Sequence, residues 1–228
     1  MTAKKPSTHL DFGKIGIMRS KLHHDGHPLS PGTVLRYNQN AVVFHDKFPI
    51  ITINYEREFL EWQEDMKKII QEHGDVQKRR TNVQANMTSW YLHKFFGIYS
   101  KDKENPRFKP MSENHNCFEW LGSKALGLAQ KHNPHEVSME VSEMWGADYA
   151  TGDYSKEHEH WPSLWSFVFY VDCCNKCAPL EFPSTDNVKI TPKIGCLTLF
   201  PAWVLHSVPK QSCEHNRIMV AGNIGLSK

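Results

Sequence analysis

The chain is predicted to be mainly β, an α+β arrangement in which a β-sandwich or jelly roll is backed by helices nearer the N-terminus. Three observations carry that reading. From Glu136 onward the residues fall into at least six short apolar runs separated by turn residues. Two longer stretches before them have helical periodicity. At 228 residues, 39% hydrophobic and 23% charged, the chain is long enough to bury one sizeable core.

The first 45 or so residues mix Gly13, Gly16, Gly26, Pro28, Pro31 and Gly32 with histidine, which predicts irregular structure with short strands near Val34–Tyr37 and Ala41–Phe44. His23, His24 and His27 stand among turn residues with no regular element to aim them, and read as surface histidines. From Glu56 the pattern turns helical. Phe59, Leu60, Trp62, Met66, Ile69 and Ile70 share a stripe, Glu61, Glu64, Lys67, Lys68 and Glu72 take the other faces, and Gly74 is a stop signal. A second helix is predicted from about Cys117 to Lys131, with Phe118, Leu121, Leu126 and Leu128 apolar and Asn133-Pro134 ending it. Neither helix carries a chemical motif, so both read as packing elements.

The remainder reads as strands. Val137, Met139 and Val141 alternate with Ser138, Glu140 and Ser142, and Thr151-Gly152-Asp153 is a turn. Leu164–Val171, Leu180–Phe182, Val188–Ile190, Gly195–Phe200 and Arg217–Val220 complete the set. One domain over residues 1–228 is expected, with N-terminal strands and supporting helices to residue 135 and a jelly-roll core over 136–228.

Charge removes some function classes. With 27 basic against 25 acidic residues, a net of +2, there is no field to draw in nucleic acid or an acidic membrane surface. Lys78-Arg79-Arg80 is a short cluster that reads as a solvated edge. No run reaches the roughly 18 apolar residues that cross a bilayer, and Met1–Pro6 leads into no apolar signal core, so a soluble, cytoplasmic protein is expected. The six cysteines are too few for a disulfide framework at this length, and free thiols are expected. Cys174 and Cys177 form a C-x-x-C, but no second pair or paired histidine follows at structural-zinc spacing, which makes a zinc knuckle the weaker reading.

The chemistry-bearing pattern is His158-Glu159-His160 before an apolar run, followed 46 residues later by His206. Alternate residues of an extended segment share a face, so His158 and His160 can point together, and the Gly195–Phe200 strand with its Pro201 turn can bring His206 beside them. Three neutral imidazoles with open positions suit iron, less often manganese, nickel or copper, in a cupin-like barrel. A carboxylate from Glu157 or Glu159 is the reserve ligand in place of His160, although Glu159 would face away on a regular strand. Arg217, 11 residues after His206, begins an apolar strand, where a buried guanidinium needs an anion and can grip a carboxylate with two parallel bonds.

These residues, with Trp145, Gly152-Asp153-Tyr154, Ser166–Val171, Leu180–Phe182, Gly195–Pro201 and Asn223, resemble the 2-oxoglutarate/iron(II)-dependent oxygenases common in bacteria and marine phages. The resemblance covers roughly residues 140–225. It implies a double-stranded β-helix, with His-x-His in place of the His-x-Asp of prolyl hydroxylases. It further implies that His158, His160 and His206 hold Fe(II), that Arg217 pairs with the far carboxylate of the co-substrate 2-oxoglutarate, and that dioxygen is consumed in a hydroxylation. Tyr154, Trp165, Ser166 and Tyr170 are candidates to line the co-substrate pocket. Two departures stand out: Arg217-Ile218-Met219 replaces the Arg-x-Ser of many relatives, and Ala221-Gly222 replaces bulkier residues before Asn223.

Two other readings stay open. A three-histidine cupin dioxygenase would bind its substrate on the metal without 2-oxoglutarate, and would have no need of Arg217. A metal-free jelly-roll binding module would keep the scaffold alone. The substrate is open too, organic or peptidyl, with Trp62, Trp90, Tyr91 and Trp161 available for stacking and Trp203 near the metal or in the core. A phage-encoded protein would act in the host-cell cytoplasm.

Overall fold

The computed structural model describes residues 33–37, 40–45, 48–74, 82–95, 117–133, 135–184 and 188–227. His23, His24, His27 and the Lys78-Arg79-Arg80 cluster lie outside the described residues. The first half contributes β1 (Thr33–Tyr37), β2 (Asn40–His45), β3 (Phe48–Asn54), α1 (Glu56–Phe59), α2 (Gln63–His73), β4 (Val83–Gln84), β5 (Asn86–Met87), α3 (Leu92–Phe95) and α4 (Cys117–His132). The second half contributes β6 (Met139–Tyr149), β7 (Tyr154–His158), β8 (Trp165–Asp172), β9 (Leu180–Phe182), β10 (Val188–Ile190), β11 (Cys196–Pro201), β12 (His206–Val208) and β13 (Arg217–Leu226).

The strands form two antiparallel sheets. One runs β1-β2-β3-β11-β8-β13-β6-β5 and the other β10-β9-β12-β7-β4. Period-two alternation sorts side chains between two cores. In β8, Phe167, Phe169 and Val171 pack outward with Phe59, Met66, Ile70, Phe118 and Leu121 of the helices. Val168 and Tyr170 of the same strand face inward with Trp145, Tyr149, Phe182, Phe200 and Met219. Helices therefore cover one face of the eight-stranded sheet and the five-stranded sheet covers the other. This is a jelly roll backed by helices. The strands before residue 135 belong to the same sheets, since β3 pairs with β11 and β4 with β7.

The predicted helix from Glu56 is two helices, broken by a turn over 60–62. Leu60 sits in that turn and is 60% exposed, so it does not belong to the buried stripe; Phe59, Met66, Ile69 and Ile70 do. Val137 likewise is exposed and precedes β6. The Thr151-Gly152-Asp153 turn is confirmed: Gly152 has φ +89°, and the Asp153 carboxylate accepts from the Ala150 N–H at 2.9 Å.

Gly195 has φ +74°, and a side chain there would place its Cβ 2.5 Å from Glu56 Cα. The close approach is used: the Tyr55 N–H donates to the Gly195 carbonyl at 2.8 Å, and the Gly195 N–H to Tyr170 at 2.9 Å, tying α1 and β8 to the start of β11. Gly195→Ala combines left-handed strain of ~1–2 kcal/mol with overpacking of ~1–3 kcal/mol. At ~2–4 °C per kcal/mol for a chain of this size, a thermal melt is expected to fall by roughly 4–20 °C; an unchanged Tm would mean that the turn is not held as described.

Candidate metal and anion site

The cross-strand register builds the histidine cluster. β7 and β12 are neighbours, and His158 lies directly opposite His206. His160 follows two residues beyond the end of β7, fixed by its N–H donating to the Ala202 carbonyl at 2.8 Å. The three ring centroids lie 4.3 to 5.1 Å apart, and each residue offers one nitrogen within 4.8 Å of the others. Glu157 and Glu159 are both exposed, so neither carboxylate joins the cluster.

The rings are held neutral. Burial lowers the pKa of His158, against a raising hydrogen bond from the Lys156 carbonyl. Burial, then the neighbouring His158, pushes His160 down to about 3. His206 is moved well below the ordinary value by burial and by both other imidazoles. Two tautomers are set by backbone carbonyls: the Nδ1–H of His158 donates to Lys156 O at 2.7 Å and that of His206 to Val204 O at 2.9 Å. Both Nε2 lone pairs are then free to bind a cation.

His160 is held differently. Its Nδ1 lies 3.4 Å from the Asn223 amide nitrogen, and that amide is oriented by two stronger bonds. Ser166 Oγ donates to Asn223 Oδ1 at 2.8 Å, and Asn223 Nδ2 donates to Glu143 Oε2 at 2.7 Å.

Arg217 opens β13 opposite Tyr149 and is wholly buried. Its guanidinium lies 4.9 Å from the Tyr149 ring centroid and 5.2 Å from that of Tyr170. Among the described residues Nε, Nη1 and Nη2 meet no anion, with only the neutral Tyr149 and Tyr170 side chains beside them, and the buried Trp145 Nε1 has no hydrogen-bond partner. Burial raises both tyrosine pKa values, with the Arg217 cation opposing, so neither phenol supplies the missing negative charge. Buried polar groups left unpaired are costly, and a cluster of donors around one pocket is complementary to an anion with several oxygens.

A pocket of about 380 Å³, partly open to solvent, joins the two features. His158, His160, His206, Arg217, Ser166, Ser155, Tyr149 and Trp145 line it. Among the candidate residues, Ser166 lines this pocket and Tyr170 lies against Arg217. Tyr154 is not among the lining residues: it is half-buried, with Lys210 Nζ 5.8 Å from its ring centroid. The reason is a register shift, in which Val208 pairs with Ser155 while His206 pairs with His158, so β7 carries one extra residue. That bulge reverses the alternation and turns Ser155 inward. Trp165 faces the helical side, and its indole N–H donates to Asn133 Oδ1 at 3.3 Å. Trp203 is 48% exposed on the turn before His206, so it belongs to neither core. Trp90 packs on Trp145, whereas Trp161 is 70% exposed beside His160.

Tyr149 and Trp145 were legible only in part from sequence. Both fall at alternate positions of a strand, and their role depends on the pairing with β13. Ala221-Gly222 also has a structural reason: a Cβ on Gly222 would meet Phe167 Cζ at 2.5 Å and Glu143 O at 2.6 Å, so β13 must be bare there to lie between β6 and β8.

No family model and no curated protein matches this chain. Solved structures do. A Pseudomonas putida prolyl-4-hydroxylase superposes with TM-score 0.55 at 14% identity, over 78% of this chain and 92% of that one. A Trichoplax adhaerens prolyl hydroxylase, in complex with a hypoxia-inducible factor oxygen degradation domain peptide fragment, gives 0.53 at 13% identity, over 93% and 90%. The viral collagen prolyl hydroxylase of Paramecium bursaria Chlorella virus-1, in its 2OG complex, gives 0.51 at 14% identity, over 76% and 93%. The fold is thus the double-stranded β-helix. Among the described residues no helix is long and apolar enough to cross a membrane.

Proposed function

We propose that this chain is an Fe(II)- and 2-oxoglutarate-dependent oxygenase that hydroxylates a C–H bond of an organic or peptidyl substrate. The observation that carries it is the wholly buried Arg217 guanidinium, without an anionic partner among the described residues, in the same pocket as three converging neutral imidazoles. The likeness in fold to solved prolyl hydroxylases, one in a 2OG complex and one with a peptide, supports the reading. His160, where prolyl hydroxylases carry aspartate, would make this the bacterial and phage form of the pattern.

In this reading His158, His160 and His206 hold the iron, and Arg217 takes the far carboxylate of 2-oxoglutarate with its planar fork of donors. When bound, the iron and 2-oxoglutarate supply the oxidation, with dioxygen consumed and succinate and carbon dioxide released. The chain's own work is positional. The Lys156 and Val204 carbonyls keep the His158 and His206 protons on Nδ1. Phe200 and Leu180 give the pocket apolar walls that keep water away. Trp145, which lines the pocket, keeps its Nε1 as a donor toward the co-substrate.

Anaerobic addition of iron(II) with and without 2-oxoglutarate tests the reading. A visible metal-to-ligand charge-transfer band that needs both components is expected. Iron binding with no such band would replace this proposal by a cupin that binds its substrate directly, and no iron binding would leave a non-catalytic module.

A further inference from the structure

A second cluster lies outside the proposed oxygenase site. Cys174 and Cys177 flank a tight turn after β8, closed by the Cys177 N–H donating to the Cys174 carbonyl at 3.1 Å. Cys213, in the segment between β12 and β13, reaches the same point. The three sulfurs form a nearly equilateral triangle: Cys174 to Cys177 3.6 Å, Cys174 to Cys213 3.8 Å and Cys177 to Cys213 3.6 Å. These separations are far beyond the ~2.05 Å of a disulfide. They match the edge of a tetrahedron around zinc, which for zinc–sulfur bonds of about 2.3 Å is about 3.8 Å.

The surroundings suit thiolates. The Cys174 N–H donates to Cys177 Sγ at 3.3 Å and Gln211 Nε2 to Cys213 Sγ at 3.3 Å. Gln211 is itself buried, and its side-chain oxygen accepts from the Ala178 N–H at 2.7 Å, which fixes one cysteine segment against the other. Cys117 and Cys196, by contrast, are buried and belong to no such cluster among the described residues. A light ligand is also at hand. The His215 carbonyl accepts from Cys177 Sγ at 3.6 Å and from Cys213 Sγ at 3.4 Å, and its exposed imidazole rests on Asp172 at 3.0 Å.

We propose that Cys174, Cys177 and Cys213 bind a structural zinc ion, with an oxygen ligand, from the His215 carbonyl or water, completing the tetrahedron. Binding releases the thiol protons to solvent. The ion staples the end of β8 to the segment leading into β13. Cys174 lies four residues after Tyr170 and Cys213 four before Arg217, so the clamp fixes the two strands whose side chains meet in the anion pocket.

The test uses the full-length chain carrying His206→Ala, so that the histidine cluster does not contribute, purified under reducing conditions. One zinc per chain is expected by elemental analysis. Cobalt(II) exchanged for it should give thiolate-to-cobalt charge transfer in the near ultraviolet together with intense tetrahedral d–d bands. Cys213→Ser and Cys174→Ser, at the two more accessible positions, should each weaken zinc binding by more than the roughly 10–100-fold that a merely supporting residue costs. Stoichiometric zinc without thiolate charge transfer would overturn the proposal. So would folded protein with three freely alkylated thiols and no metal, or a disulfide among the three in peptide mass spectra.

Discussion

Arg217→Met is expected to weaken 2-oxoglutarate binding sharply and, at the same time, to raise the melting temperature of the ligand-free chain. Most substitutions of a buried residue lower both, so the opposed signs are diagnostic. The guanidinium is wholly buried with no anionic partner among the described residues, and the neutral Tyr149 and Tyr170 side chains beside it offset only part of its desolvation. Cation–π contacts return ~2 kcal/mol at best when desolvated, against a penalty of several kcal/mol for an unpaired buried ion. An apolar chain of similar volume should therefore stabilise the free protein by ~1–4 kcal/mol, or a few degrees at ~2–4 °C per kcal/mol. Removing one partner of a buried, hydrogen-bonded charge pair costs ~2–5 kcal/mol, so 2-oxoglutarate affinity should fall by roughly 30- to 5000-fold. In the wild type, 2-oxoglutarate at about 100 times Kd adds ~2.7 kcal/mol of stability; in the variant the same concentration adds under ~1 kcal/mol. Arg217→Lys keeps the charge without the planar fork and should fall between the two. Scanning calorimetry with and without ligand reads all of this, and a variant that melts lower in the free state would show that Arg217 has a partner in solution.

What sequence makes visible here is local, and what it hides depends on strand pairing. β9 and β10 are found at their predicted bounds because alternation and flanking turn residues are properties of a few neighbouring positions. β4, β5 and β12 are two or three residues long and exist through hydrogen bonds to β7, β6 and β9, which no local pattern announces. The histidines were legible because i, i+2 spacing and the turn after Pro201 suffice to suggest convergence. Tyr154, a pocket candidate by the resemblance alone, is absent from the lining because β7 carries a bulge that no local pattern announces. Cys213 was missed because it lies 36 positions from Cys177, and only the sheet order brings its segment back to the end of β8.

The three histidines should not weigh equally when removed. His206→Ala and His158→Ala are each expected to weaken iron(II) binding by more than ~100-fold, and His160→Ala by less, about tenfold, because that ligand must first give up a proton and an amide contact before it binds. The reason is the proton. A neutral imidazole has one N–H and one lone pair. In His158 and His206 the N–H is spent on a backbone carbonyl and the lone pair faces the cluster. In His160 the neighbour of Nδ1 is an amide nitrogen, which donates, so the lone pair is drawn to Nδ1 and the proton to Nε2. For His160 to bind through Nε2, that proton must move, and the Asn223 contact becomes N–H against N–H. Turning the amide over would relieve this but would set Asn223 Oδ1 against the Glu143 carboxylate, breaking the 2.7 Å bond that now holds it. Ser166 and Glu143 thus act on the metal through Asn223, and Asn223→Asp, which accepts from His160, should recover affinity in a chain with Glu143→Gln. Anaerobic calorimetry with manganese(II) standing in for iron measures the series, with thermal melts to confirm that the His206→Ala chain folds despite the space left between Phe200 and Phe182. Equal losses at all three positions would mean that the amide has turned and that His160 is a full ligand.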